Sequence, residues 1–274
     1  MKQHLGTILK GIWIGGTLTV PGVSGGSMAM ILGIYERLIV SLNSLMKRTE
    51  ERKKSAKFLL IFTLSALLGI CALSGVVVWA LERFPSPVLF LFAGIVAGGL
   101  PLVLAEVKRS SFRWYHILLL ILGILLVIAL SALPVGVFAL GYDRGLLGIF
   151  AQFFCGIVAA LALVLPGISI SHMLYVLGIY EQIMGAVSSA NFISLLPFVS
   201  GIIIGVVLSA KAVASLIARF RNGIYMLILG FVLGSVFELL NDVDVKSVSL
   251  LCLLLFFVGF FGMFILFNKK KADA

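Results

Sequence analysis

The chain has 274 residues, of which 61% are hydrophobic and only 12% are charged, and its formal net charge is +10. A soluble domain of this size could not bury so much apolar surface, which excludes the soluble classes of protein. The positive charge does not indicate a nucleic-acid partner, because it lies in short loops between long apolar runs, as the positive-inside rule predicts. We expect one integral membrane domain that fills residues 1–274.

The first predicted element is an apolar helix over residues 5–20, which is too short to cross a bilayer. Its 16 residues give about 24 Å of helix, against a hydrocarbon core of roughly 30 Å. Pro21 ends this helix, because the residue before a proline is pushed out of helical geometry. A second apolar helix begins near Ser24 and returns toward the same side. Residues 5–46 are therefore predicted to form a re-entrant hairpin, a helical loop that dips into the membrane and turns back.

Three longer apolar runs follow this hairpin, and the same order of elements then occurs again. Each run is close to the length of about 20 residues that crosses a hydrocarbon core. The elements of repeat one, residues 1–133, are the hairpin 5–46 and the spans 57–81, 88–105 and 115–133. Those of repeat two, residues 147–267, are the hairpin 147–187 and the spans 195–216, 223–240 and 250–267.

The repeat is visible in the residues themselves. PGVSGGSMAMILGIYE, at 21–36, and PGISISHMLYVLGIYE, at 166–181, are identical at nine of 16 positions. Apolar bias alone would not align proline, tyrosine and glutamate in register. A weaker similarity continues between LLIFTLSALLG at 59–69 and LLPFVSGIIIG at 195–205. The predicted fold class is an all-α polytopic membrane protein of two repeats, each a re-entrant hairpin followed by three spans.

Charge gives the predicted orientation of these repeats. The loop 47–57 is strongly basic and is placed on the cytoplasmic side. Counting spans from there puts 17 of the 21 Lys and Arg inside, together with both termini. The first motif is then followed by an inside loop and the second by an outside loop, so the repeats have inverted topology. Inverted repeats are typical of secondary transporters, whose site lies near the midplane where the repeats meet.

The two Pro-Gly-Ser tips are the predicted site. Irregular backbone at membrane depth persists only where protein buries it or water reaches it. Serines cap the helix after each break, and its free N–H groups carry the positive end of the helix dipole, which favours an anion. The alternative is that these residues only make tight turns or close packing. The candidate anion-binding residues at the tips are Ser24, Gly25, Gly26, Ser27, Ser169, Ser171 and His172, and the candidate structural residues are Pro21, Gly22, Pro166 and Gly167.

Other polar residues in the apolar runs are candidates, each with a plainer alternative. Lys211 lies within a predicted span and would neutralise an anion, unless it snorkels to the inner surface. His172 is either a proton-responsive or anion-binding group at the second tip, or a capping residue. Candidates for coupling or gating, which otherwise belong to the membrane interface, are Tyr35, Glu36, Arg37, Tyr180 and Glu181. The sequence has no metal-binding or cofactor signature, so we expect neither metal nor cofactor.

The paired motifs PGVSGGSMAMILGIYE and LPGISISHMLYVLGIYE resemble those of the PopT family of bacterial membrane proteins, described as undecaprenyl phosphate translocases. The resemblance covers nearly the whole chain, with Ile170 standing where the family has glycine. It implies a protein of the bacterial inner membrane that returns undecaprenyl phosphate from the outer to the inner leaflet for cell-wall polymer synthesis. The phosphate would lie at the tips and near Lys211, within the membrane lipids, and proton or sodium coupling is left open.

Two other functions fit part of the same pattern. A membrane phosphatase acting on undecaprenyl pyrophosphate would also use inverted repeats and serine-rich loops, but it requires an arginine beside the motif serine and a pair of glutamates, which neither motif supplies. An ion-coupled transporter of a small soluble anion would use the same tip geometry without a preference for lipid. We expect a lipid transporter (a flippase) rather than an enzyme.

Overall fold

The computed structural model describes residues 2–20, 22–45, 50–108, 112–134, 136, 145–189, 191–241, 243 and 247–272, and this part of the chain is helical without a strand. In chain order the helices are α1 (Lys2–Thr17), α2 (Gly25–Ile31), α3 (Tyr35–Ser44), α4 (Glu50–Arg83), α5 (Pro85–Ala105), α6 (Tyr115–Ser131), α7 (Leu146–Val164), α8 (Ile170–Val176), α9 (Tyr180–Ser188), α10 (Leu196–Asn241) and α11 (Leu250–Ala272). The expected all-α class is confirmed.

Several of these helices are long and apolar enough to cross a membrane. They are α4, α5, α7 and α10, and the bent pair α2–α3 adds a fifth if it counts as one span. Two further apolar helices, α6 and the Leu250–Leu266 part of α11, are shorter. Large apolar side chains are exposed along α4, α6, α7 and α11, as expected for surfaces in contact with lipid. The chain is a multi-pass membrane protein.

α10 covers two segments that the sequence predicted as separate spans. Its backbone departs from helical geometry at Phe220 (φ −130°, ψ 47°). We call the part before this break α10a (196–219) and the part after it α10b (221–241). Phe84, between α4 and α5, has nearly the same dihedral angles (φ −138°, ψ 58°). It precedes Phe220 by 136 residues, the same offset that relates 59–69 to 195–205. The same local break therefore recurs at the same place in both halves.

The arm that follows each Pro-Gly tip is two short helices, so the expectation of one continuous helix is wrong. α2 and α3 are bent by 113°. Gly33 has φ 64° at this bend and Gly178 has φ 72° between α8 and α9, a conformation that favours glycine. The N–H of Gly33 donates to Met30, and that of the next residue, Ile34, donates to Ala29, which is the Schellman pattern that ends a helix.

α1 runs parallel to α4 and stops short of its end. Gly11 lies against Phe62, and Gly16 lies against Leu73 further along both helices. An added Cβ at Gly15 would lie well inside contact distance of the α4 backbone, so the two helices touch through their glycines. α1 ends about ten residues, or roughly 15 Å, before α4 does.

α7 and α10a repeat this arrangement in the second half. Gly156 lies against the backbone of Phe198, and Gly205 lies against Ile157 and Ala160, so these helices are also parallel and closely packed. α7 again ends about ten residues, or roughly 15 Å, before the break that ends α10a. Both tips therefore lie part of the way along the long helix that accompanies them.

The remaining four helices form two pairs that connect the halves. α5 packs on α11 through Gly94 and Gly98, and α6 packs on α10b through Gly123 and Gly230. α5 also touches α10b, which is its counterpart in the repeat. The Oγ of Ser86, near the start of α5, is 2.5 Å from that of Ser247, beyond the end of α10b, whereas the residue after α5 pairs with the first residues of α10b. α5 and α10b therefore run antiparallel.

The central core lies between the first hairpin and the helices α5 and α10b. Its members are fully buried side chains from different parts of the sequence, among them Met28, Ile31, Val96, Tyr225 and Val232. Burial of this group holds the short helix α2 against both halves of the protein.

Candidate functional site

The two Pro-Gly-Ser tips meet inside the protein. A Cβ added at Gly26 of the first tip would lie 3.0 Å from the Cα of Pro166 in the second tip and 3.2 Å from the carbonyl carbon of Leu165. A side chain at this position would push the two backbones apart by a few tenths of an ångström, so glycine suits the close approach. The contact joins segments that are about 140 residues apart, and it brings together the two candidate sites that the sequence predicted.

Serines cap the helix that follows each tip, as expected. The Oγ of Ser24 accepts the N–H of Ser27 at 3.5 Å, and the Oγ of Ser169 accepts the N–H of His172 at 3.4 Å. Ser24, Ser27 and Ser169 are all buried. Among the residues that the structure describes, the Oγ of Ser27 has no hydrogen-bond partner, although Ser27 is only 1% exposed. A buried unpaired hydroxyl is costly, and it is available to a bound group.

The glycines of the tips occupy conformations that other residues rarely adopt. Gly22 has φ 77° and Gly167 has φ 85°. Gly167 also lies directly against the carbonyl oxygen of Phe231 on α10b, so a side chain there would be both strained and blocked. Pro21 lies outside the described residues, and Gly25 faces the flexible side chain of Leu18.

A polar cavity of about 720 Å³ opens where α5 ends and α10 breaks. We call it the arginine cavity. Its polar lining residues are Glu36, Lys108, Tyr115, His116, Arg219, Arg221 and Asn222. Three of these side chains are cationic and one is a carboxylate, so the lining favours an anion. The volume is within the range of about 300–1,000 Å³ that small ligands occupy.

Arg221 connects three helices at this cavity. Its Nη1 donates to the Oε1 of Glu36 at 3.0 Å, and its Nη2 donates to the Oε2 of Glu106 at 2.5 Å. The guanidinium carbon lies 5.0 Å from the ring centre of Tyr225. The Nε of Arg221 is buried and has no hydrogen-bond partner in the described part of the chain. The Arg221 guanidinium therefore holds together α3, the end of α5 and α10b, and its Nε–H is not used in these contacts.

The neighbouring wall of the cavity is fixed by side chain to backbone hydrogen bonds. Asn222 accepts the N–H of Lys108 and donates to its carbonyl oxygen, both at 2.9 Å. The N–H of Arg113 donates to Nδ1 of His116 at 2.9 Å. Because Nδ1 accepts, the proton of a neutral His116 resides on Nε2, which makes that nitrogen a donor.

A second polar cavity, of about 190 Å³, lies at the other end of α6 and α10b. We call it the histidine cavity, and its polar residues are Ser131, His172, Glu238 and Asn241. The Nε2 of His172 lies 3.0 Å from the carbonyl oxygen of Leu130. Since α6 spans about 15 residues between the two cavities, they are separated by roughly 23 Å. Ser171, next to His172, is half-buried.

An apolar cavity of about 240 Å³ lies beside the tips. Leu18, Gly25 and Gly26 line it from the first hairpin, and Phe62 and Val206 line it from α4 and α10a. This cavity reaches the point where Gly26 meets the second tip.

The residues predicted for coupling or gating differ between the two halves. The hydroxyl of Tyr35 is buried and donates to the carbonyl oxygen of Val164, just before the second tip, at 3.0 Å. Tyr180, its counterpart, instead stacks on Tyr175 with ring centres 3.9 Å apart. Glu36 pairs with Arg221, whereas its counterpart, Glu181, is exposed. Tyr35 and Glu36 both contact repeat two.

Two predicted cations lie away from both polar cavities. The Lys211 side chain is exposed on α10a, which favours the snorkelling alternative over a site inside the bundle. Arg37 is exposed and lies 4.2 Å above the ring of Phe58, a cation–π contact between α3 and α4. Among the described residues, no group of three or more His, Cys, Asp or Glu could hold a metal ion.

Sequence reasoning missed the arginine cavity. It counted Lys108, Arg219 and Arg221 only toward the positive charge that orients the repeats. Glu106 was not singled out. The available signal was the Arg-Phe-Arg-Asn stretch at 219–222, where two arginines adjoin an asparagine between apolar segments.

The sequence of this chain is similar to those of known proteins. Residues 14–264 match the family model described as undecaprenyl phosphate translocase-like. A protein of Staphylococcus aureus named polyprenyl-phosphate transporter is 32% identical over 263 residues, which is 92% of each chain. A protein of Vibrio cholerae with the same name is 29% identical over 244 residues, covering 85% of this chain and 76% of its own. No solved structure matches the chain significantly.

Proposed function

We propose that this chain, which belongs to the undecaprenyl phosphate translocase-like family, is a transporter that moves undecaprenyl phosphate from the outer to the inner leaflet of the bacterial cytoplasmic membrane. The carrier lipid would then be reused in cell-envelope polymer synthesis. Both relatives are named polyprenyl-phosphate transporter, and 92% of this chain aligns with one of them. The proposed activity is transport without covalent chemistry.

The observation that carries this proposal is the contact of the two tips between two polar cavities. A phosphate monoester carries about −1.5 to −2 charges at neutral pH, so it does not cross hydrocarbon unaided. The polyprenyl tail can stay in lipid throughout. A transporter therefore needs a polar path for the headgroup and an open side for the tail. The cavities at opposite ends of α6 and α10b supply the ends of such a path, and the tips close its middle.

The packing of the helices supports inverted repeats. α5 and α10b occupy equivalent places in the two halves and run antiparallel. α1 and α7 each end well before the helix that they accompany, which supports hairpins that turn back within the bilayer rather than cross it. In this proposal one half rocks against the other, and the tips are exposed to each leaflet in turn.

The proposed phosphate site at the tips uses Ser24, Ser27 and Ser169, with Gly26 allowing the group to approach the backbone. Gly25 faces the side chain of Leu18 instead and is not assigned to the site. The unpaired hydroxyl of Ser27 supports this assignment. The tail would leave through the apolar cavity beside the tips. Tyr35 and Glu36 are assigned to gating, because each bonds across from repeat one to repeat two.

Ligand selectivity tests the proposed substrate. Thermal stabilisation of the purified protein would be compared for undecaprenyl phosphate, undecaprenol and inorganic phosphate. We expect the phosphate lipid to stabilise most, and Ser27→Ala to reduce the effect more than Ser188→Ala, an exposed serine on α9. Stabilisation by inorganic phosphate alone would favour a small-anion transporter. Release of phosphate from undecaprenyl pyrophosphate would favour a phosphatase. Either result would overturn the proposal.

A further inference from the structure

We propose that the arginine cavity is a second binding site for the phosphate monoester group, separate from the tips. Arg221 would be held there by carboxylates until phosphate displaces one of them. The chemical class of the ligand rests on the proposed function. The site itself rests on the side chains that the fold brings together at the break in α10.

The hydrogen bonds that Arg221 makes to carboxylates are of the same kind as those it would make to a phosphate. Its two terminal nitrogens donate to the carboxylates of Glu36 and Glu106. A guanidinium binds phosphate oxygens through the same paired donors, and a phosphate has three acceptor oxygens and more charge than one carboxylate. The buried Nε–H, which has no partner among the described residues, is a further donor of the same group. Glu36 is the more readily displaced of the two carboxylates, because it is the more exposed, at 48%.

Other lining groups suit the same ligand. Lys108 and Arg219 also line the cavity and add two positive charges. Neither takes part in the ion pairs that Arg221 makes with Glu36 and Glu106. The main chain of Lys108 is held by Asn222, so this residue is anchored at the cavity wall. His116, whose Nδ1 accepts the N–H of Arg113, adds its Nε2–H as a donor. The lining therefore includes several hydrogen-bond donors and more positive than negative charge.

Binding at this cavity would act on the first hairpin. Glu36 begins α3, and its neighbour Tyr35 donates to the carbonyl of Val164 beside the second tip. Displacing Glu36 from Arg221 removes an ion pair that holds α3 against α10b. Arrival of a phosphate at the cavity would thus loosen the connection between the halves near the tips.

The experiment compares charge-neutralising variants of the full-length protein in detergent. Binding of undecaprenyl phosphate and, separately, of inorganic phosphate would be measured for Arg221→Gln, Arg219→Gln and Glu36→Gln. Arg52→Gln is the matched control, since it removes one positive charge from an exposed position on α4 outside the cavity lining. Thermal unfolding reports whether each variant is folded. Arg219→Gln keeps the test valid if Arg221→Gln does not fold, because Arg219 is not part of the ion-pair network.

We expect Arg221→Gln and Arg219→Gln to weaken binding of the phosphate lipid about tenfold or more, as for loss of a charged hydrogen bond. Glu36→Gln should tighten binding, because it frees Arg221, and Arg52→Gln should leave it unchanged. Wild-type affinity in both arginine variants, or an equal loss in Arg52→Gln, would overturn the inference.

The two ligands separate this inference from the proposed function. If the wild type binds inorganic phosphate through Arg221 but does not bind the lipid, the cavity is supported and the lipid function fails. If it binds the lipid with equal affinity in all variants, the function stands and the cavity inference fails.

Discussion

Replacing Gly26 by alanine should slow transport far more than the same change at Gly25, because the two new methyl groups meet different neighbours. The Cβ at position 26 would lie 3.0 Å from the Cα of Pro166, and ordinary contact begins at 3.4 Å, so the tips must part by about 0.4 Å. Neither backbone can yield by rotating a side chain. The Cβ at position 25 would lie 2.8 Å from the end of the Leu18 side chain, which can move, and 4.0 Å from the Ile14 side chain, an ordinary contact.

The magnitude follows from the cost of inserting a methyl group into closely packed structure, which is about 1–3 kcal/mol. If the tips must meet in each cycle, that cost slows transport by roughly 5- to 150-fold. Both variants lose a glycine from the first turn of α2, so any gain in helix propensity is shared and cancels in the comparison.

The assay is the initial rate of undecaprenyl phosphate translocation in proteoliposomes, with thermal unfolding measured for each variant. We expect Gly25→Ala to transport at close to the wild-type rate and Gly26→Ala to be slower by the factor above. Equal rates for both variants would refute the reasoning, since the tip contact would then play no part in the cycle.

Two further substitutions test other parts of the account. Gly167→Ala should prevent stable folding, because φ 85° and the adjoining carbonyl oxygen of Phe231 exclude a Cβ. The control is Gly185→Ala, whose Cβ meets open space, so its unfolding temperature should stay nearly unchanged or rise slightly. A normally folded Gly167→Ala protein would contradict the tip geometry. Val206→Trp should fill the apolar cavity and slow transport without loss of folding. Leu208→Trp, on the exposed side of the same helix, should leave the transport rate unchanged. Equal rates for the two variants would exclude this cavity as the route of the tail.

The tips were predictable because their signals are local. Proline, glycine and serine each restrict the backbone over a few residues, and two copies in one chain made the pattern visible. The serine caps at Ser24 and Ser169 followed from the same local chemistry. The bends at Gly33 and Gly178 also have a local signal, the glycine of the repeated Leu-Gly-Ile-Tyr. We nevertheless interpreted the apolar run around each glycine as one helix.

The arginine cavity was not predictable in the same way. Glu36, Glu106 and Arg221 are far apart in the sequence, and only the packing of α3, α5 and α10b brings them together. The direction of Lys211 was also beyond sequence reasoning. α10a is apolar around most of its circumference, so periodicity does not indicate which face is turned inward.

The central claim is that this protein carries undecaprenyl phosphate between leaflets, and translocation in proteoliposomes tests it most directly. The lipid would be added to the outer leaflet, and the fraction still accessible to a membrane-impermeant phosphatase would be followed over time. We predict that the accessible fraction falls much faster with the wild-type protein than in protein-free liposomes of the same composition. Equal rates in the two preparations, with the protein folded and binding the lipid, would contradict the account.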